Sequence, residues 1–274
     1  MKKTIITLAF LCFSALLYVS CSSNDDEIIT QMDTAGVGAS VLIDAVNELD
    51  LKTGLSVSVS NQTAKPSETG PAICLTVSTE TPNETAYPKI ITVDFGSGCT
   101  SGLITRKGKL RVTLTGSVIE TGSKMTIERI NYSINGLLLE GTIEYTNTTS
   151  IATIPQWTTK VTNGKLTDKM GRVFLNSGIH TIKQTAGVDT PFILDDNIYE
   201  MPEGNHSVIT DKGITLTLTV QETLIKKYSC EYISKGKLKI QGGDLNGVVD
   251  YGNNECDTRY IYTHESGTSY ELAM

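Results

Sequence analysis

Apolar and polar residues alternate with a period of two along most of this chain. Leu110, Val112 and Leu114 are interleaved with Arg111, Thr113 and Thr115. Ile214, Leu216, Leu218 and Val220 are interleaved with threonines, and Leu55, Val57 and Val59 with serines. That period marks strands with one buried and one wet face. Asn135-Gly136, Asn163-Gly164 and Asn246-Gly247 carry residue types that tolerate the positive φ of a tight hairpin turn. Ser177-Gly178, Glu203-Gly204 and Ser266-Gly267 are weaker turn signals. Turns so closely spaced leave little room for crossover helices. The pattern predicts an all-β fold, a many-stranded antiparallel meander. It must curl, split or close into a barrel-like or sandwich form, because a long flat sheet would expose its edges and one apolar face.

One stretch follows a different period. Leu42, Ala45, Val46 and Leu49 recur at helical spacing, so residues 39–50 are expected to form one short N-terminal helix that packs on the sheet or plugs one end of it. The β-rich domain is read as 39–274. The best candidate for a break between two halves is 146–156, and 184–205 is the longest turn-rich segment.

Two phrases recur. Ile91-Thr92-Val93-Asp94-Phe95-Gly96-Ser97-Gly98-Cys99 returns as Val248-Val249-Asp250-Tyr251-Gly252-Asn253-Asn254-Glu255-Cys256. Lys107-Gly108-Lys109-Leu110 returns as Lys235-Gly236-Lys237-Leu238. The phrases stand in opposite order in the two halves, so the chain is not a tandem repeat. Asp94 and Asp250 are expected to bond backbone N–H groups two residues on, with Phe95 and Tyr251 covering the neighbouring cysteines. Gly108, Gly213 and Gly236 fit bulges or strand-entry bends.

The first twenty residues carry Lys2 and Lys3, then an apolar run from Thr4 to Val19, which is the layout of a signal peptide. Tyr18-Val19-Ser20-Cys21 resembles a bacterial lipobox, with Tyr18 standing where leucine is usual. Cleavage would leave Cys21 as an acylated N-terminus, anchored to a membrane through lipid chains. Residues 21–38 are then anchor and flexible tether. The run Asp25-Asp26-Glu27 resembles the tag that sends Bacteroidota lipoproteins to the outer face of the outer membrane, so an outer-membrane, surface-exposed location is expected. Asp33-Thr34-Ala35 resembles an O-glycosylation acceptor, a match too short to carry a site. Loss of Lys2 and Lys3 deepens the formal charge of −7 by two. With no basic cluster, zinc finger or RNA-binding pattern, nucleic acid is not an expected partner.

Cys12 leaves with the leader and Cys21 is the lipid site, so Cys74, Cys99, Cys230 and Cys256 remain. An even number in an exported chain suggests disulfides. Of three connectivities, Cys74–Cys99 and Cys230–Cys256 join nearest neighbours over similar spans. In each pair the second cysteine follows the same aspartate-aromatic-glycine phrase. Each bridge would close a loop worth roughly 3 kcal/mol. The absence of CxxC or a nearby histidine argues against zinc.

No catalytic signature appears. His180, His206 and His264 are far apart in sequence, and no HExxH, GxSxG, P-loop or dinucleotide fingerprint is present. No metal, cofactor or catalytic residue is expected. Asp195, Asp196, Asn197 and Glu200 offer oxygen ligands for calcium without EF-hand spacing, and read as a solvated loop. Trp157 and the tyrosines, Tyr260 and Tyr262 among them, could stack on sugars, although tyrosine is also an ordinary strand residue.

The repeated phrases resemble those of a β-rich family of Bacteroidota lipoproteins, which combine a lipobox, a short helix and "DFGxGC" and "DYG…CD" phrases. The resemblance implies location and fold and carries no activity. The expected function is a non-enzymatic binding or structural role at the outer membrane, with a glycan or protein as ligand. The alternatives are a glycan-binding component of a carbohydrate-uptake system, or a glycan or lipid hydrolase whose paired carboxylates would meet only in space.

Overall fold

The computed structural model of the chain describes residues 34–63, 74–81 and 86–273. The leader, Cys21, the acidic run 25–27 and Asp33 lie outside the described residues. One helix, α1 (Ala35–Thr63), precedes fourteen strands. They are β1 (Thr76–Glu80), β2 (Lys89–Asp94), β3 (Cys99–Ser101), β4 (Ile104–Leu114), β5 (Lys124–Ile134), β6 (Leu137–Asn147) and β7 (Gln156–Thr167), then β8 (Val173–Ala186), β9 (Ile198–Ile209), β10 (Thr215–Lys227), β11 (Lys235–Gln241), β12 (Gly247–Asn253), β13 (Arg259–His264) and β14 (Ser269–Ala273). All pair antiparallel in one meandering sheet, with β3 on a side branch of β4. The sheet is open, with β1 and β14 as its two ends. Residues 146–156, the candidate break, form the end of β6 and the connection to β7.

The sheet curls around α1. Arg106 of β4 donates to Thr53 Oγ1 and to the Leu49 carbonyl. A Cβ at Gly54 would meet Met125 and Ile127 of β5 at 2.9 Å, and one at Gly36 would meet Leu216 of β10 at 3.2 Å. Gly38 faces the Tyr260 hydroxyl of β13. Strands from β4 to β13 therefore reach the same helix from different sides. Val37, Val41, Ile43, Ala45, Val46, Leu49 and Leu51 are all buried, so the helix is apolar around much of its circumference.

This enclosure corrects the sequence expectation at both ends of the helix. Leu55, Val57 and Val59 are not a strand. The helix starts at Ala35, inside the segment 21–38 expected as tether, and continues past residue 50 to Thr63, and Val57, Ser58 and Val59 are all buried in it. Thr53 and Ser58 donate their hydroxyls to helix carbonyls three or four residues back, which removes the polar cost of burying such residues.

The repeated phrases are partners of each other. Asp94 of β2 lies opposite Lys109 of β4, and Asp250 of β12 opposite Lys237 of β11. The ion pairs follow the register, with Lys109 Nζ 2.9 Å from Asp94 Oδ2 and Lys237 Nζ 3.4 Å from Asp250 Oδ2. Both aspartates accept a backbone N–H two residues on, from Gly96 and Gly252 at 2.8 and 2.9 Å. Phe95 and Tyr251 are buried in the core. Along the sheet the order is aspartate strand, lysine strand, then lysine strand, aspartate strand. It reads the same from both ends about the β7–β8 pair, as a local dyad through that hairpin would require. This arrangement accounts for the opposite order of the phrases in sequence.

Two oblique runs of bulges bend the sheet, one from β4 to β8 and one from β8 to β12. Gly108 (φ +78) sits where a Cβ would lie 2.1 Å from the Asn131 carbonyl oxygen, and Gly236 (φ +108) 2.4 Å from that of Thr223. Bulges raise the local twist and let a long sheet turn a corner. Gly213, by contrast, closes the β9–β10 turn with its N–H on the Thr210 carbonyl. Asn163-Gly164, Ser177-Gly178 and Glu203-Gly204 lie inside β7, β8 and β9 and are not turns. Asn135-Gly136 and Ser266-Gly267 do join hairpins, and Asn246 ends the β11–β12 turn.

Cys74 bridges Cys99 and Cys230 bridges Cys256, with Cα separations of 5.2 and 5.1 Å. Each disulfide clips the open end of one hairpin, β1–β2 or β11–β12.

Candidate functional site

The densest collection of titratable side chains is inside the molecule, between α1 and strands β6 to β12. α1 contributes Asp44 and Glu48, one turn apart. β6 contributes Tyr145, β8 His180, β9 His206, β10 Lys226 and β12 Tyr251. The register Gly178↔His206 and His180↔Gly204 sets the two imidazoles diagonally across β8 and β9, with ring centroids 5.2 Å apart. A side chain at residue 178 would strike His206, with a Cβ only 2.2 Å from that of His206. Gly178, read in the sequence as a turn, thus makes room for the imidazole.

His206 Nε2 lies 3.3 Å from Asp44 Oδ1. Neither His206 nitrogen, nor Asp44 Oδ2, nor the Tyr251 hydroxyl has a hydrogen-bond partner among the described residues, so the Asp44–His206 contact is close without being aligned. Burial pushes the Asp44 carboxyl up to about 7 against the pull of His180. Burial holds both imidazoles down at about 4, with each other's proximity adding to the effect on His180. Burial also drives Glu48 up and Lys226 down, and each partly restores the charge of the other. Lys226 donates to the Cys230 carbonyl at 2.6 Å, tying the cluster to the second disulfide.

Chemically this is an acid–base cluster with little space. The cavity lined by Asp44, Glu48, Tyr145 and His180 holds about 30 Å³, room for on the order of one or two waters. A substrate does not fit there. Its polar groups meet between α1 and strands β8 and β9, where Asp44 and His206 come within 3.3 Å of each other. No group of three or more His, Cys, Asp or Glu among the described residues is placed to hold a metal ion.

Other sequence candidates are dispersed. His264 ends β13, where Nδ1 and Ser266 Oγ are 2.7 Å apart. In the calcium-like stretch Asn197 is buried and bonded to Gln184 and Tyr199, and Asp196 accepts from Thr190, so the oxygens do not converge. Trp157 donates to the Val118 carbonyl and meets Tyr199 edge-on beside an apolar cavity of about 30 Å³. Its ring is half-buried there. Tyr260 and Tyr262 point into the core, while Ile261 between them faces out.

Two larger concavities are open. One, of about 270 Å³, lies at the start of α1 between Leu42, Phe174, Tyr260 and the Arg172–Asp168 pair. The other, about 320 Å³, is a shallow depression on the outer face over β6 to β9, floored by Gly164, Leu175 and Ile209. Its walls include the Lys165–Glu140 pair, and it follows from the bulge at Asn163. No family model, curated protein or solved structure matches this chain.

Proposed function

We propose that the chain is an outer-membrane lipoprotein, anchored through Cys21 and displayed at the cell surface, with a non-enzymatic binding or structural role. The observation that carries this reading is the pair of hairpin-clipping disulfides. Two bridges, each closing the open end of a hairpin, are the design of a chain that matures in an oxidising compartment, in keeping with the leader and lipobox-like Cys21. The tight interior supports the non-enzymatic part. The helix fills the trough of the sheet, and the acid–base cluster is closed to anything much larger than water. Ligands, whether glycan or protein, would meet the outer surface and the loops.

Labelled palmitate should enter the full-length chain expressed in a lipoprotein-processing host and not the Cys21→Ala variant. Removing Asp25, Asp26 and Glu27 should lower protease access on whole cells. Equal labelling of both chains would refute the anchor, and unchanged protease access would refute the export tag. A glycan array without signal would direct the search to a protein ligand.

A further inference from the structure

We propose that the rim of turns at the N-terminal end of α1 rests on the surface of the lipid bilayer, with Leu103 and Met170 as the inserting side chains. The proposal rests on the lipid-anchor reading above and says which way the anchored body faces. The antiparallel meander puts the β3–β4, β5–β6, β7–β8, β9–β10, β11–β12 and β13–β14 turns at one end. Asn135 Nδ2 donates to the Leu103 carbonyl, and Gly136 lies against Lys169, so the first three turns adjoin. Asp168, Arg172 and Thr210 of the next turns border the first residues of α1. Leu103 is 90 % exposed and Met170 73 %, the two most exposed large apolar residues described. Met170 follows the exposed Lys169. Exposed apolar tips of this kind suit insertion at a bilayer surface.

The far end also exposes apolar residues, Ile119, Ile151, Phe192 and Ile193 among them. Exposed acids lie at both ends, Glu120, Asp189, Asp195, Asp196, Glu255 and Asp257 at the far one and Asp211, Asp244 and Glu265 at the near one, so charge does not separate them. Reach decides between the ends. Thirteen residues separate Cys21 from Ala35, spanning at most about 45 Å. The 29-residue helix is itself about 43 Å long. The near rim lies at the root of that tether, whereas the far rim could touch the bilayer only with the tether fully drawn out along the body.

The test uses the full-length lipidated protein on phosphatidylethanolamine–phosphatidylglycerol vesicles containing brominated lipid, with tryptophan fluorescence as readout. Leu103→Trp and Met170→Trp should each add emission that bromolipid quenches at least twofold, while Trp157 of the unaltered protein and Ile151→Trp at the far rim stay unquenched. Quenching at residue 151, or at neither rim, overturns the proposal. Probes at 103 and 170 that are shielded from aqueous iodide but untouched by bromolipid overturn it in favour of a protein partner. Normal palmitate incorporation with unquenched near-rim probes sinks this orientation alone, whereas failure of incorporation sinks the anchor as well.

Discussion

Arg129 on β5 and Asp50 on α1 form an ion pair closed to solvent, with Nη2 2.7 Å from Oδ2 and the two side chains 2 % and 0 % exposed. Arg129 Nε also donates to Oδ2 at 2.8 Å, and the Tyr132 hydroxyl donates to Oδ1 at 2.7 Å. Both carboxylate oxygens are thus engaged. Arg129 Nη2 also donates to Asn47 Oδ1, so the pair fixes the rotation of α1 against the sheet. Asp50→Ala leaves a buried guanidinium without its counter-ion and should cost about 3–5 kcal/mol, measured by urea unfolding. A loss below about 1 kcal/mol would show that the pair contributes little.

The interior cluster makes stability depend on pH in two opposing ways. Asp44 rises from 3.8 to about 7 on folding. Between those values the native state holds a proton that the unfolded chain releases, so this group lowers stability as pH rises toward 7. Glu48 acts in the same direction. His180 and His206 fall from 6.5 to about 4, so they lower stability as pH falls through that window. The slopes offset, and the wild-type curve should be flat between about pH 4 and 6.5. Asp44→Asn should leave stability rising with pH and exceed wild type above pH 7 by up to about 4 kcal/mol. His206→Phe should tilt the curve the other way. Thermal melts across pH check both, and parallel curves for all three proteins would contradict the assignment.

How much of this was legible beforehand differs from element to element. The alternation of Leu110–Leu114 and Ile214–Val220 read correctly, because those strands bury one face and wet the other. Leu55–Val59 alternates just as cleanly and is helical. A helix enclosed by a sheet loses the polar stripe that reveals a 3.6-residue period, and local alternation then misleads. Asn163-Gly164 and Ser177-Gly178 misread as turns for a related reason. Bulges and close strand approaches draw on the same conformational freedom as tight turns, with Asn163 at φ +51. The disulfides were visible as spacing plus a shared phrase. The His180–His206–Asp44 meeting was not, since it depends on the β8–β9 register and on the rotation of a helix more than a hundred residues upstream.

Glycines of the two kinds should respond differently to a methyl group. Gly108 has both a positive φ and no space, so Gly108→Ala should cost about 2–4 kcal/mol. Gly96 has φ +57 with nothing within 4 Å, and Gly96→Ala should cost only the backbone term of about 1–2 kcal/mol. Denaturant midpoints for the two variants decide this. Equal losses would mean that the crease gives way without resistance.

The bridges can be tested one at a time. A non-reducing peptide map should join Cys74 to Cys99 and Cys230 to Cys256, and any crossed pair contradicts the structure. Cys99→Ser should cost about 2–5 kcal/mol, toward the lower end because the body has a large core of its own. Loss of half the population to aggregation without a shift in the folded fraction's melting point would instead assign the bridge a role in folding yield.

Tyr260 of β13 faces Gly38 in the first turn of α1, and Ala273 of β14 borders the same opening as Ala35. The first described element is therefore completed only by the last two strands described. A nascent chain holds an apolar helix with no finished surface to cover it. Contacts this distant in sequence must wait for loop closure. The helix must therefore remain uncovered until the last strands are made, so a truncation that removes β13 and β14 leaves a helix to be shielded by something other than its own sheet.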